Sequence, residues 1–323
     1  MIKFKEIIYR ISSMLLLSLL CFICVGCTYT NSEKSNSLAF FRFNDSVWKY
    51  ENGDAKPFVE INSLSDVEFD GHTLCWGTSE TDSDCINLLD VEKDKKIQME
   101  TGFEIYDLTL LNDYVVFSGM NNKDFSYCIM AKQISTGKEL CISDTQNNQL
   151  EFYCYQDEIY FLEPNDDNHL YKYNLSSKAK SKVSDLVQNK SSVRINLCVN
   201  DSGIFFTKCV FEEDSEETNL YKLDTDNNKV ILIAQNIDDI VGSQDDVIYG
   251  IFNNRKSDII YKINPDNLEK NEIFTGDEPI IRAYIQGEYL LCDFLDMLNE
   301  ENDKTLIINL NNGKIIKTVT ADV

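Results

Sequence analysis

Only two histidines, His72 and His169, occur in this chain of 323 residues, against 54 Asp and Glu. Acid–base chemistry would therefore have to run largely through carboxylates, one acting as acid and one as base. Their abundance singles out no pair. His169 follows Asp166, Asp167 and Asn168 in a polar stretch, which reads as a solvated loop and not as a catalytic base. Neither histidine has a Cys or His partner at zinc spacing, and no GxSxG elbow, Walker loop or GxGxxG run is present. Asp224, Asp226 and Asn228 have the alternate-residue spacing of the first half of a calcium loop. Lys229, however, stands where that loop needs glycine, and Gln235 where it needs a bidentate acid. A plain turn is expected there, and no cofactor is expected; were calcium bound, the loops around Asp82 and Asp84 or Asp166 and Asp167 are where to look.

Cysteine is the other residue type with chemistry to offer. The chain starts with Lys3, Lys5 and Arg10 against Glu6, continues with an apolar run from Ile11 to Val25, and then reads Gly26-Cys27. That run is shorter than the ~20 residues a membrane-spanning helix needs. Its ending resembles the lipobox of bacterial lipoproteins, with one departure: Cys24 stands where Leu, Val or Ile is usual. The resemblance implies a signal peptide over residues 1–26, removed before Cys27, and acylation of Cys27 by chains such as palmitate. Each buried methylene contributes about 0.8 kcal/mol, so a multiply acylated Cys27 holds a protein on a membrane. The expected location is the extracytoplasmic face of a bacterial cell membrane. Residues 27–37, almost without apolar content, read as a flexible tether.

Eight cysteines follow: Cys75, Cys85, Cys128, Cys141, Cys154, Cys198, Cys209 and Cys292. An even count in an exported chain invites disulfides, but Cys154 and Cys198 read as equivalent positions of successive repeats. Only Cys75 and Cys85 straddle one loop evenly. Buried free thiols are the favoured reading.

These residues must be positioned by something regular. An apolar run after a polar turn recurs as LAFF, TLCW, VVF, IYF, IFF, IYG and YLLC, starting at Leu38, Thr73, Val115, Ile159, Ile204, Ile248 and Tyr289. A second apolar segment trails each, as VWKYENG from Val47, LYKYNLSSK from Leu170 or IYKINPDNLEK from Ile260, followed by turn residues and another short apolar segment. A period of roughly 43 residues with four short strands per unit is that of a propeller blade. The predicted fold over residues 38–323 is all-β, a β-propeller of four-stranded antiparallel blades A to D. Seven blades fit best, with six or eight open because the first unit lacks a convincing strand A; a β-sandwich is the alternative. Strand B is apolar at consecutive positions, as at Ile159, Tyr160 and Phe161, which predicts burial against a blade on each side. Pairing of the chain ends is expected to close the ring.

The succession IYF, loop, LYKYNL, turn and short strand resembles the propellers related to the YWTD repeat of the low-density-lipoprotein receptor. Similar repeats occur in bacterial surface lipoproteins, in domains of unassigned function. The YWTD tetrad itself is absent, with FLEP, FTKC and GIFN in comparable places, so the resemblance implies a fold and no ligand.

Charge carries the functional expectation. The 54 acids exceed the 30 bases to give a net charge of -24, which argues against nucleic acid as a partner. More than half of that excess falls on the B-to-C loops, which share one rim with the D-to-A links. The candidate rim residues are Asp82 and Asp84, Asp166 and Asp167, Glu212, Glu213, Asp214, Glu216 and Glu217, and Asp296, Glu300, Glu301 and Asp303. Arg255 and Lys256 make the loop between the last two groups positive, so the rim is patchy, and the opposite C-to-D turns are slightly basic through Lys178, Lys180 and Lys182. The expected function is a binding or scaffolding module holding a basic protein or cationic envelope component on this rim. The alternatives are a carbohydrate- or peptide-acting hydrolase or lyase using rim carboxylates, and an assembly or sensor subunit. Acidic and aromatic side chains converging on the channel mouth would favour the enzyme.

Overall fold

The computed structural model describes residues 38–320 apart from 45, 61–63, 81–82, 147–149, 189–195, 213–214, 228, 255–256 and 295–302. Cys27 and the expected signal peptide and tether lie outside the described residues.

Seven antiparallel sheets follow one another along the chain. Blade 1 holds β1 (Leu38–Phe43), β2 (Ser46–Glu51) and β3 (Asp54–Glu60). Blade 2 holds β4 (Leu64–Phe69), β5 (Thr73–Glu80), β6 (Ser83–Asp90) and β7 (Lys95–Thr101). Blade 3 holds β8 (Phe103–Leu111), β9 (Tyr114–Asn121), β10 (Tyr127–Gln133) and β11 (Glu139–Thr145). In blade 4, β12 (Phe152–Tyr155), β13 (Glu158–Glu163), β14 (His169–Asn174) and β15 (Ala179–Gln188) are interrupted by one 3-10 turn at Pro164–Asp166. Blade 5 holds β16 (Leu197–Asn200), β17 (Gly203–Glu212), β18 (Ser215–Asp224) and β19 (Lys229–Ala234). Blade 6 holds β20 (Asp239–Gln244), β21 (Val247–Asn254), β22 (Ser257–Asn264) and β23 (Glu269–Thr275). Blade 7 holds β24 (Arg282–Gln286), β25 (Tyr289–Phe294), β26 (Lys304–Asn309) and β27 (Ile315–Thr320).

Each of the seven repeated apolar runs is a strand B, and consecutive burial has the expected cause. Ile159 and Phe161 of β13 pack with Val116 and Ile129 of blade 3. Tyr160, between them in sequence, points the other way, toward Val199, Ile204 and Phe206 of blade 5. Successive side chains of a strand alternate faces, so every strand B feeds two interfaces. The hairpin turns are made by residues that tolerate positive φ, such as Gln156 (53°) and the pair Asp245 and Asp246 (49° and 61°).

Blade 1 has three strands, because β1, a strand B by sequence, is the first described strand. Among the described residues no strand of blade 1 pairs with one of blade 7, which corrects the expectation that paired chain ends close the ring. Two other devices do so. An apolar core joins Phe41, Trp48 and Tyr50 of blade 1 to Tyr289, Leu291, Ile307 and Val319 of blade 7. The inner edge of β1, left without a strand A, is met by side chains of β24. The Phe40 N–H donates to Gln286 Oε1 at 2.6 Å, and the Arg42 N–H is hydrogen-bonded to the Tyr284 hydroxyl. Buried backbone donors need a partner, and two side chains supply what a strand would have.

Candidate functional site

Neighbouring blades meet through their first strands, with β4 against β8, β12 against β16, β16 against β20 and β20 against β24. These strands line a central channel. Strand A of three blades carries a β-bulge, at Leu64/Val67, Ile105/Asp107 and Ile240/Gly242. A bulge re-aims the side chain beside it, and here two of the re-aimed residues are Asp66 and Asp107.

Four acids and an arginine converge there. Arg282, at the start of β24, pairs through Nη2 with Asp66 Oδ1, and its guanidinium lies 5.1 Å from the Tyr284 ring. Asp107 is hydrogen-bonded to Asp66. Burial, then the Asp66 charge, raises the Asp107 carboxyl well above the usual carboxylate range. Glu68 is pushed up to about 8, first by burial and then by Asp66 and Asp107. Asp293, opposite Arg282 in the ladder, is raised to about 6 by burial even though Thr305 Oγ1 donates to it at 2.8 Å. Arg282 keeps 39% of its side-chain surface accessible. Its own affinity for its proton is raised, the attraction of Asp66 overcoming the cost of burial.

A cavity of about 290 Å³ adjoins this cluster. Asp107 and Arg282 stand in its wall together with Glu151, Asp239, Phe152 and Tyr153. Most of its lining comes from the beginnings of β12, β16, β20 and β24. Strand A begins at the rim that receives the D-to-A links and the B-to-C loops, so the cavity lies toward the rim identified from the sequence as acidic. Cys198, buried in the core between blades 5 and 6, donates to the Tyr153 hydroxyl at 3.5 Å, and Ser243 is hydrogen-bonded to both. That contact sets Cys198 level with Tyr153, one position away from equivalence with Cys154.

The rim residues fare unevenly. Asp84 is buried and accepts a hydrogen bond from Asn122 of the next blade, and Asp303 is buried as well; neither is an exposed rim charge, because each lies inside a blade contact or fold. Asp166 accepts from the Tyr171 hydroxyl at 2.9 Å and lies 2.6 Å from Lys182 Nζ, which together hold its carboxyl down at about 2. Lys180 and Lys182 belong to β15 and not to the turn, and they reach Glu163 and Asp166, removing charge from the rim they were expected to oppose. Asp167 and Glu217 are exposed. Glu212 and Glu216 lie on β17 and β18, while Asp82, Glu213, Asp214, Asp296, Glu300 and Glu301 fall outside the described residues.

His169 is also repositioned: it opens β14 with its ring 15% accessible, 3.4 Å from Asp166 and 3.8 Å from Asp185. The Lys182 ammonium sits between those two carboxylates, where a calcium ion at Asp166 would have to stand. Among the described residues no group of three or more His, Cys, Asp or Glu could hold a metal ion. Asp224 instead caps its own turn, accepting from the Asn227 backbone at 3.0 Å and side chain at 2.8 Å. All eight cysteines are free, and Cys75 and Cys85 sit on adjacent strands out of register, facing Leu88 and Thr78.

Sequence reasoning missed the channel acids entirely. The available signal was an acid set between apolar or aromatic residues of strand A, as Glu68 between Val67 and Phe69 and Asp107 between Tyr106 and Leu108.

Fold and site together define a seven-bladed β-propeller with a charged channel. No protein-family model matches the chain, and no curated protein is similar to it in sequence. Among solved structures it is similar to the β-propeller domain of the Trilobed protease from Pyrococcus furiosus, described as having an open velcro topology. That likeness has a TM-score of 0.60 and 13% identity over 80% of this chain and 84% of that one. TolB from Acinetobacter baumannii is similar at a TM-score of 0.52 and 11% identity, over 74% of this chain and 64% of that one. The structure of a nidogen/laminin complex gives 0.50 and 11%, over 88% and 93%. At such identities the likeness shows the fold alone.

Proposed function

We propose that this protein is a binding module, anchored through Cys27 at the extracytoplasmic face of a bacterial membrane, that holds a basic protein segment or cationic envelope component at the acidic end of its channel. The observation that carries this reading is the cavity at the rim end, whose wall holds Glu151 and Asp239, with Asp107, against a single arginine. Low-dielectric walls focus the field of such a site outward, and the rim loops add charge of the same sign. Attraction of this kind fades as salt shortens the Debye length.

The test uses the full-length protein in detergent and an octalysine peptide as probe. Capture is expected to weaken as salt rises from about 50 to 500 mM, and to weaken again when Glu212, Glu213, Asp214, Glu216 and Glu217 are replaced by Gln or Asn. Capture indifferent to both changes would remove the rim from the function. Anchoring is tested separately by labelling cells with a fatty-acid analogue: Cys27→Ala is expected to lose the label, and a labelled variant contradicts the anchor.

A second reading, a hydrolase or lyase, is favoured by one observation, the hydrogen-bonded carboxyl pair Asp66 and Asp107 beside a protonated Glu68. Such a pair supplies an acid and a base at one pH. Turnover of a peptide or polysaccharide substrate that disappears in Asp107→Asn would decide for it.

A further inference from the structure

We propose that the channel cavity receives one ammonium group, such as the side chain of a lysine from the bound partner, at Asp107 in its wall, which the buried acids Asp66 and Glu68 back from behind. The inference rests on the reading of the protein as a binder of basic partners and assigns the place where the partner's charge is recognised.

The argument starts from a mismatch of charge. Four acids, Asp66, Glu68, Asp107 and Asp293, lie around one guanidinium, and that guanidinium is engaged by Asp66 and by the Tyr284 ring. Burying the remaining carboxylates unpaired would be costly. Burial favours the protonated forms of Asp107 and Glu68. An entering ammonium takes the proton's place electrostatically: R–NH3⁺ joins a carboxylic acid, the acid's proton leaves to solvent, and a carboxylate–ammonium pair remains. An anion has no comparable place, because Asp107, Glu151 and Asp239 stand around the only arginine of the cavity wall.

Size and lining suit a lysine. About 290 Å³ is near the lower limit for small-molecule pockets and fits one side chain but not a folded segment. Phe152, Leu197, Ile240 and Val241 supply apolar wall for a methylene stem.

Other charged groups bear on the exchange. Asp66, Asp70 and Asp107 oppose ionisation of Glu68, and Arg282 favours it. Asp293 lies across the ladder from Arg282 and also feels Arg42. The Cys75 and Cys154 thiols, held neutral by burial, complete the surroundings.

Nα-acetyl-lysine methylamide is the probe, titrated calorimetrically into the full-length protein in phosphate and in Tris at the same pH. The two buffers differ in ionisation heat, so their difference reads the protons released. Release of about one proton per probe is expected, with affinity rising up to about tenfold per pH unit between about pH 6 and 8. Glu68→Gln and Asp107→Asn mimic the protonated acids and should stay folded, checked by an unchanged melting transition, while proton release falls. Nα-acetyl-norleucine methylamide, of the same shape without the charge, should not bind. Equal heats in both buffers with a flat pH profile overturn the proposal, as does absence of saturation at millimolar probe. If octalysine is still captured in that case, the rim reading stands and the channel site falls. If the small probe binds with proton release while octalysine capture ignores salt and rim variants, the channel site stands and the rim falls.

Discussion

At Gln286 a single amide oxygen completes a backbone ladder that lacks a strand. Removing it leaves the buried Phe40 N–H without an acceptor, and an unsatisfied buried donor costs about 1–3 kcal/mol. Gln286→Leu is expected to lose stability of that size in urea denaturation, and an unchanged midpoint would mean that Phe40 is satisfied otherwise. Glu68 makes a prediction about pH. Its carboxyl titrates near 4.5 ordinarily and about 8 in the fold, so between those values the folded chain binds a proton that the unfolded chain has released. Stability from this group is complete below about pH 4.5, declines as pH rises and is gone above about pH 8. Asp107 acts in the same direction. Asp166 has the opposite sign: lowered to about 2, it contributes above its ordinary 3.8 and ceases to as pH falls through 2. The urea midpoint is therefore expected to fall between about pH 5 and 9, and Glu68→Gln should flatten that slope. A wild-type midpoint constant over this range contradicts a protonated Glu68.

Between elements, two matched turns separate backbone strain from contact. Gly137 and Gly313 close the C-to-D turns of blades 3 and 7, each donating its N–H back to the last residue of strand C or its equivalent, Gln133 or Asn309. Both have positive φ, 71° and 67°. A Cβ on Gly137 meets nothing within 4 Å, whereas one on Gly313 falls 1.9 Å from the Ile273 carbonyl oxygen of β23. Gly137→Ala should cost about 1–2 kcal/mol, the left-handed penalty alone. Gly313→Ala adds a collision with the backbone of the preceding blade, so its melting temperature is expected to drop well below that of Gly137→Ala. Equal drops would show that blade 6 yields freely at this turn. The bulges of β4 and β8 belong to the same scale, since an unbroken alternation of two would turn Asp66 and Asp107 differently.

For the whole molecule, the described residues close the ring through an apolar interface and two side-chain hydrogen bonds, with no sheet shared between blades 1 and 7 among them. A chain ending at Asp303 lacks β26 and β27 and strips Ile307 and Val319 from the core between blades 1 and 7. Blade 1 would then bury one face only. Calorimetry of this truncation is expected to show a broad or absent transition, and one sharp transition at the original temperature would contradict a cooperative ring. Closure also gathers the first strands around one axis, so acids of separate repeats come to lie beside one arginine.

How much of this was legible in advance follows from the range of the forces involved. Strand B announced itself because burial on both faces demands apolar residues at consecutive positions, as at Ile159, Tyr160 and Phe161, and that demand acts within one short segment. The turn at Gln156 and the roughly 43-residue period are equally local, and so the sequence by itself determined the blade, its four strands and a count near seven. It also determined that acids dominate the loops. It could not say which of them stay exposed, because Asp84 is taken up by Asn122 of another blade and Asp166 by Lys182 of another strand. Nor could it show the channel, where Arg282 meets Asp66 across 216 positions of chain. Tertiary structure alone decided that site: Coulomb energy and desolvation depend on distance through space and on surrounding protein, and both are set only when seven blades close around the axis.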